Sequence, residues 1–233
     1  MNTVLVSIDM SVPSAFCWTR VGTEAGQPLH GILRRKELER VSNGGLFFWG
    51  IGNAIGPSMG KLVQQHTEPE VLFSPIKSSG RIGDADPPDL ALWRTAEGLD
   101  GRRFELPPQT LITSRMDPTN PRKTHYALVC YAERPLIAQQ TEESVNIGDL
   151  ENLITGRAVG ASQVTAVVKV KTRIQSHGNC YRVLLRATLR WPYFLVLRNP
   201  TVIRRAIVGS NWDSIICDLW NAILSGKVQV REA

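Results

Sequence analysis

Apolar residues recur with helical spacing most clearly near the C-terminus. Trp212, Ile215, Ile216, Leu219, Trp220 and Ile223 follow one another at intervals of three and four, the spacing of one helix face. Ser210 or Asn211 can cap the start and Gly226 can end it, so a helix is predicted over about 211–225. A weaker pattern, Ile32, Leu33, Leu38 and Val41, predicts a moderately amphipathic helix over Leu29–Val41, stopped by Asn43, Gly44 and Gly45. Pro57 and Ser58 open a short helix through Gln65, and Asp149–Thr155 reads as another that ends at Gly156.

Strand-length apolar runs occupy Val4–Ile8, Leu46–Ile51, a segment starting at Val71–Phe73, Leu90–Arg94, Gln109–Thr113 and His125–Tyr131. Two longer alternating runs, Val164–Ile174 and Tyr181–Val196, flank a turn at His177, Gly178 and Asn179 and predict a hairpin. Ser78–Asp89 and Ser114–Thr124 are polar loops containing proline. There is no internal repeat or heptad series. The expected fold is α+β, a mostly antiparallel sheet or small β-barrel with peripheral helices, in a single domain over residues 1–233.

Alternation gives the hairpin two unlike faces. Lys169, Lys171 and Arg173 share one side of the first strand, and Arg182, Arg186 and Arg190 one side of the second. Val183, Leu185, Ala187, Leu189 and Trp191 form an almost wholly apolar opposite face. Like charges side by side weaken a strand pair, so the arrangement calls for a counter-anion. A phosphate backbone supplies one, and Arg182 to Arg190 spans roughly 26 Å at about 3.3 Å per residue.

The charge distribution strengthens this reading. The net charge is +6, with 27 Lys and Arg against 21 Asp and Glu. Residues 1–115 hold 12 of each sign, so the whole excess lies in the second half. From Arg157 to Arg205 there are ten basic residues and no acidic one, whereas solvated surfaces normally mix the signs. A 42% hydrophobic content is ordinary for a folded soluble chain. No signal peptide or membrane span is legible at the N-terminus, so a cytoplasmic location without membrane contact is expected. Four cysteines, Cys17, Cys130, Cys180 and Cys217, lie far apart and read as reduced thiols, mostly in the core.

Phosphate contacts carry no base information, so a reader also needs stacking and polar groups. Phe48, Trp49 and Asn53 at the glycine-rich end of one strand, Ser74 and Lys77 after the next, Ser114 and Arg115 after another, and His125 and Tyr126 at a strand start are the candidates for a base pocket. On the aromatic strand Leu46–Asn53, the strand His125–Cys130 and the basic strands near Lys169 and Arg182, the chain resembles the PUA-like superfamily, notably its EVE-type and ASCH-type members. That resemblance implies a small barrel that binds RNA or DNA and, in EVE-like members, holds a modified base in an aromatic pocket.

Other residues in the chain point to competing chemistries. Gly50, Gly52 and Gly56 imitate a dinucleotide-binding turn, but no second βαβ unit follows and Glu68 and Glu70 precede the next strand. Asp84, Asp86 and Asp89 could hold Mg²⁺ for a nuclease or another nucleic-acid-processing enzyme, though three carboxylates among prolines are also ordinary turn composition. The histidines His30, His66, His125 and His177 form no metal motif, and no nucleophile elbow is present. The expectation is therefore a nucleic-acid-binding module without cofactor or catalytic residues, with a modified or flipped base in the pocket and the hairpin on the backbone. The alternatives are the Mg-dependent enzyme and a scaffold for an acidic protein partner.

Overall fold

Residues 12–22, 29–76, 90–93, 95–107, 111–113, 124–136, 143–172, 178–198 and 201–203 are described by the computed structural model. Alternating apolar positions in these segments build, in chain order, β1 (Ala15–Val21), α1 (Leu29–Ser42), β2 (Leu46–Ile51), α2 (Gly56–Gln65), β3 (Glu70–Pro75), β4 (Leu90–Leu92), β5 (Thr95–Gly98), β6 (Arg103–Glu105), β7 (Leu111–Thr113) and β8 (His125–Tyr131). There follow β9 (Ser144–Asn146), a 3-10 turn (Ile147–Asp149), β10 (Leu150–Asn152), β11 (Thr165–Val170), β12 (Cys180–Arg182), β13 (Leu185–Leu197) and β14 (Thr201–Ile203).

Among the described residues nine strands form one sheet, with β9 and β12 in a two-stranded sheet and β14, β4 and β7 in a three-stranded one. The large sheet runs β10-β11-β1-β3-β13, and β13 passes it on to β8 and β2 on one edge and to β5 and β6 on the other. β1 and β3 are parallel, and every other pairing in it is antiparallel. The class is thus α+β, with a mostly antiparallel sheet carrying two helices. The sheet is open: among the described residues β10 has β11 as its one strand neighbour and only a single bridge, Glu151 to Ala158, on its other edge, β2 pairs only with β8, and the sheet does not close into the small barrel that the sequence also allowed.

One face of the sheet presents Cys17, Phe47, Trp49, Phe73, Leu128, Leu185 and Leu189 to Ile32 of α1 and to Met59 and Leu62 of α2. The other face carries two separate apolar clusters. Phe16, Trp18, Leu72 and Val168 pack with Val145 and Val183, while Phe48, Val129, Leu195 and Leu197 pack with Trp93 and Leu106. Among the described residues no helix is long and apolar enough to cross a membrane.

Helix α1 packs against the pattern that predicted it. Leu38 and Val41 are 40% and 64% exposed, whereas Arg35, Lys36 and Glu39 are buried. Residues 32, 35, 36 and 39 are spaced for one helix face, so charge takes the place of aliphatic packing there. Lys36 donates to Glu39 at 2.6 Å, and the Glu39 carboxylate accepts the backbone N–H of Phe48 in β2 at 3.3 Å. Desolvation pushes Lys36 down to about 8 and Arg35 down to about 10, each partly offset by Glu39, and raises Glu39 itself. A second latch joins Glu37 to Arg40 and to the backbone N–H of Leu136, while Arg40 reaches the carbonyls of Ala132 and Glu133.

Three further expectations are corrected. β11 and β13 do not form a hairpin, because β1 and β3 lie between them, each satisfied by its own neighbours. Asp149–Thr155 is not a helix: a 3-10 turn leads into β10, which pairs with β11, and Asn152 then opens a turn by accepting from Ile154 and Thr155 N–H. The run Tyr181–Val196 is two strands, β12 with β9 and β13 in the main sheet. Val4–Ile8, the helix over about 211–225, the Ser78–Asp89 loop and all but the last residue of Ser114–Thr124 lie outside the described residues.

Two measurements check this packing. Glu39→Ala leaves two buried cations and a backbone N–H without that carboxylate, and urea unfolding is expected to show a loss of about 3–5 kcal/mol. Burial pushes the Cys17 thiol up to about 12 and also raises Cys130, so iodoacetamide at pH 8 is expected to alkylate exposed Cys180 in the native protein and to leave those two unmodified until the chain unfolds.

Candidate functional site

The residues proposed for a base pocket separate in the structure. Phe48 and Trp49 are neighbours in a strand and so point to opposite faces, one toward Trp93 and Val129, the other edge-on to Phe73 at 4.8 Å. Both are buried, as is Ser74, whose hydroxyl accepts from the Trp18 indole N–H at 3.1 Å. Tyr126 stacks on Phe194 at 5.4 Å, and the His125 ring lies 5.4 Å from that of Trp93 on the other face. Asn53 is exposed in the turn after β2. Phe48, Trp49, Ser74, His125 and Tyr126 therefore do not line one cavity. Lys77, Ser114 and Arg115 lie outside the described residues, as do Asp84, Asp86 and Asp89. Among the described residues no group of three His, Cys, Asp or Glu side chains could hold a metal ion.

The basic residues have partners that the acid-free run conceals. Lys169 pairs with Glu151 at 2.9 Å, and Lys171 donates to the carbonyl of Gly148 at 2.7 Å. Arg186 bonds Glu70 at 2.7 Å and Glu143 at 3.2 Å, and its pKa is raised by these carboxylates against the opposing effect of burial. All three acids precede Arg157 in the chain, so tertiary pairing neutralises what the local sequence leaves positive. Arg182 is exposed at the end of β12 and belongs to a different sheet from Arg186, and Arg173 lies outside the described residues.

Arg190 begins the most irregular part of the main sheet. Leu189 pairs with Cys130 and Phe194 with Leu128, so β13 advances five residues while β8 advances two. Arg190, Trp191, Pro192 and Tyr193 together face Val129, in a bulge that contains a cis Trp191–Pro192 peptide and a Tyr193 φ of 64°. The left-handed backbone of Tyr193 costs about 1–2 kcal/mol for a residue with a Cβ. Three extra residues also change parity. Leu185, Ala187 and Leu189 face the helices before the bulge, and Phe194 and Val196 do so after it.

The bulge turns Trp191 outward from the apolar face on which alternation put it. Its side chain is 56% exposed, with the ring edge-on to Phe104 of β6 at 4.9 Å and 72°. The Arg190 guanidinium lies 5.0 Å from the centre of the Tyr131 ring. Tyr131, Thr188, Glu70 and Arg186 share one face of the sheet, between its two apolar clusters, by their pairings across β8, β13 and β3. On the opposite face of the sheet, the one Val196 shares with the helices, a half-open cleft of about 200 Å³ is lined by Thr95, Glu97, Arg103, Val196 and Arg198.

The sequence did carry a signal for this site: a proline inside a strand marks a bulge or an edge, and apolar parity switches from odd to even positions across it. Comparison of the chain with protein-family models, curated proteins and solved structures gives no match.

Gly98 tests how the bulge is held. A Cβ there would stand 2.7 Å from Phe104 and 3.3 Å from Pro192, so Gly98→Ala must displace the ring that supports Trp191. The expected result is a changed environment for the exposed indole, read as a shift in tryptophan emission of the folded protein that Gly60→Ala, in α2 with open space around the added Cβ, does not produce. Arg186→Ala leaves Glu70 and Glu143 unneutralised at a partly screened site and is expected to cost about 1–2 kcal/mol in urea unfolding, against about 0–1 kcal/mol for Lys169→Ala.

Proposed function

We propose that the protein binds nucleic acid through the outward-facing bulge of β13 and the basic residues around it. One observation carries this reading: an exposed tryptophan, Trp191, stands next to Arg190 at an irregular turn of an otherwise regular strand. A side chain of that size is normally buried, and an irregularity that costs backbone energy is a reason to look for function. An aromatic face for a base and a guanidinium for its phosphate are the two elements that nucleic-acid surfaces combine. The excess of +6 and its location in the second half give the matching long-range attraction.

The resemblance to PUA-like barrels supports the same ligand class. It suggests a modified or flipped base as the preferred target, with the stacking group at Trp191 instead of on the aromatic strand β2. A reader of this kind works by binding, without a reaction step.

The test is a titration of labelled DNA and RNA oligonucleotides at several salt concentrations, with and without Mg²⁺. Arg190→Ala is expected to weaken binding to all sequences and to reduce the salt slope by about 0.7–0.9, the contribution of one phosphate contact. Unchanged affinity and slope in that variant would remove Arg190 from the interface. Cleavage that depends on Mg²⁺ would favour the processing enzyme, and equal binding of any polyanion would favour the acidic-partner scaffold.

A further inference from the structure

We infer that the β13 bulge is built for a single-stranded segment, with one unpaired base stacked on Trp191 and the adjoining phosphate on Arg190; this rests on the nucleic-acid reading above. Two observations favour a single strand over a duplex. A base inside a duplex has both faces covered by its neighbours, so an exposed indole can be used only by a base that is unpaired, terminal or turned out of the helix. Duplex binding, in turn, draws its affinity from many phosphate contacts, about 6–10 in strong cases. Here Arg186, the cation nearest on this face, already pairs with Glu70 and Glu143, while Lys169 lies on the opposite face, paired with Glu151, and Lys171 is bonded to a carbonyl. Among the described residues an electrostatic surface of that size is therefore not what this face offers, whereas a stacking surface is.

The local geometry is suited to hold one nucleotide. Trp191 is braced edge-on by Phe104, and the next residue, Pro192, is packed close to Gly98, so the indole is positioned before any ligand arrives. A rigid ring with two torsions loses little entropy on binding. Arg190 precedes it directly, and a guanidinium lying against a ring still directs its N–H donors outward from its edge toward a phosphate. Base and phosphate contacts thus come from adjacent residues, the order in which one nucleotide presents them.

The experiment uses the full chain and three probes of about 12 nucleotides, within the site sizes of single-strand binders: an oligothymidylate, an abasic strand with the same number of phosphates, and a blunt duplex. The oligothymidylate is expected to bind at least about 10-fold more tightly than the other two, and Trp191→Ala to lower that affinity by about 5- to 150-fold, with Trp191→Phe restoring most of it. The abasic comparison needs no variant, so it stays informative should Trp191→Ala disturb the fold. Binding of the duplex or the abasic strand as tight as that of the oligothymidylate would overturn the inference while leaving the nucleic-acid reading in place. Binding of none of the three would overturn both.

Discussion

The hydrogen bonds made by β13 are the constraint on which the rest of this structure depends. One strand pairs with β3 in its first half, with β5 in its second half and with β8 along the other edge. It is the junction between the part of the sheet that holds β1 and β11 and the part that holds β2 and β8. A strand with neighbours on both edges cannot slip by one residue without moving its apolar side chains to the wrong face of both partners. The bulge resolves a conflict of that kind: three extra residues let the segments before and after it keep both ladders while exchanging the parity that faces the helices. The side chains displaced by this adjustment, Arg190 and Trp191, are the exposed ones on which the proposed binding rests.

Charge in this molecule is organised by distance in space and not along the chain. The segment from Arg157 to Arg205 has no acid of its own, yet Glu70, Glu143 and Glu151 reach its basic residues from strand β3 and from the segments before β11. The basic segment is consequently quieter than its composition implies, and its cations are divided between the two faces of the sheet. What remains distinctive is local and aromatic, a tryptophan and an arginine set out from the sheet, and this shifts the functional reading from broad electrostatics toward stacking on a single nucleotide.

Helix α1 shows the same principle in the interior. Its buried face contains a lysine, an arginine and a glutamate, an arrangement whose desolvation is large and which persists because Glu39 bonds both Lys36 and the backbone of β2. The carboxylate covers an N–H of a strand that pairs, among the described residues, only with β8, so the helix satisfies the sheet edge and its own charge with one group. Leu38 and Val41 are exposed as the geometric consequence of turning that face inward.

By itself the sequence determined the elements whose signals are local. The bounds of β2 and β8, the start of α1 at Leu29 and the body of α2 follow from runs of apolar residues, a proline at a helix start and glycines at a helix end, all of which act within a few positions. It also determined that the second half would carry the positive charge. Only the tertiary structure decided that β1 and β3 stand between β11 and β13, that the acids of β3, β10 and the approach to β9 answer the basic residues, that α1 buries its charged face, and that Phe48 and Trp49 belong to different cores. Periodicity states which residues share a side, but the partner on that side is chosen by the closing of long loops and the satisfaction of backbone groups far apart in sequence, which no local pattern encodes.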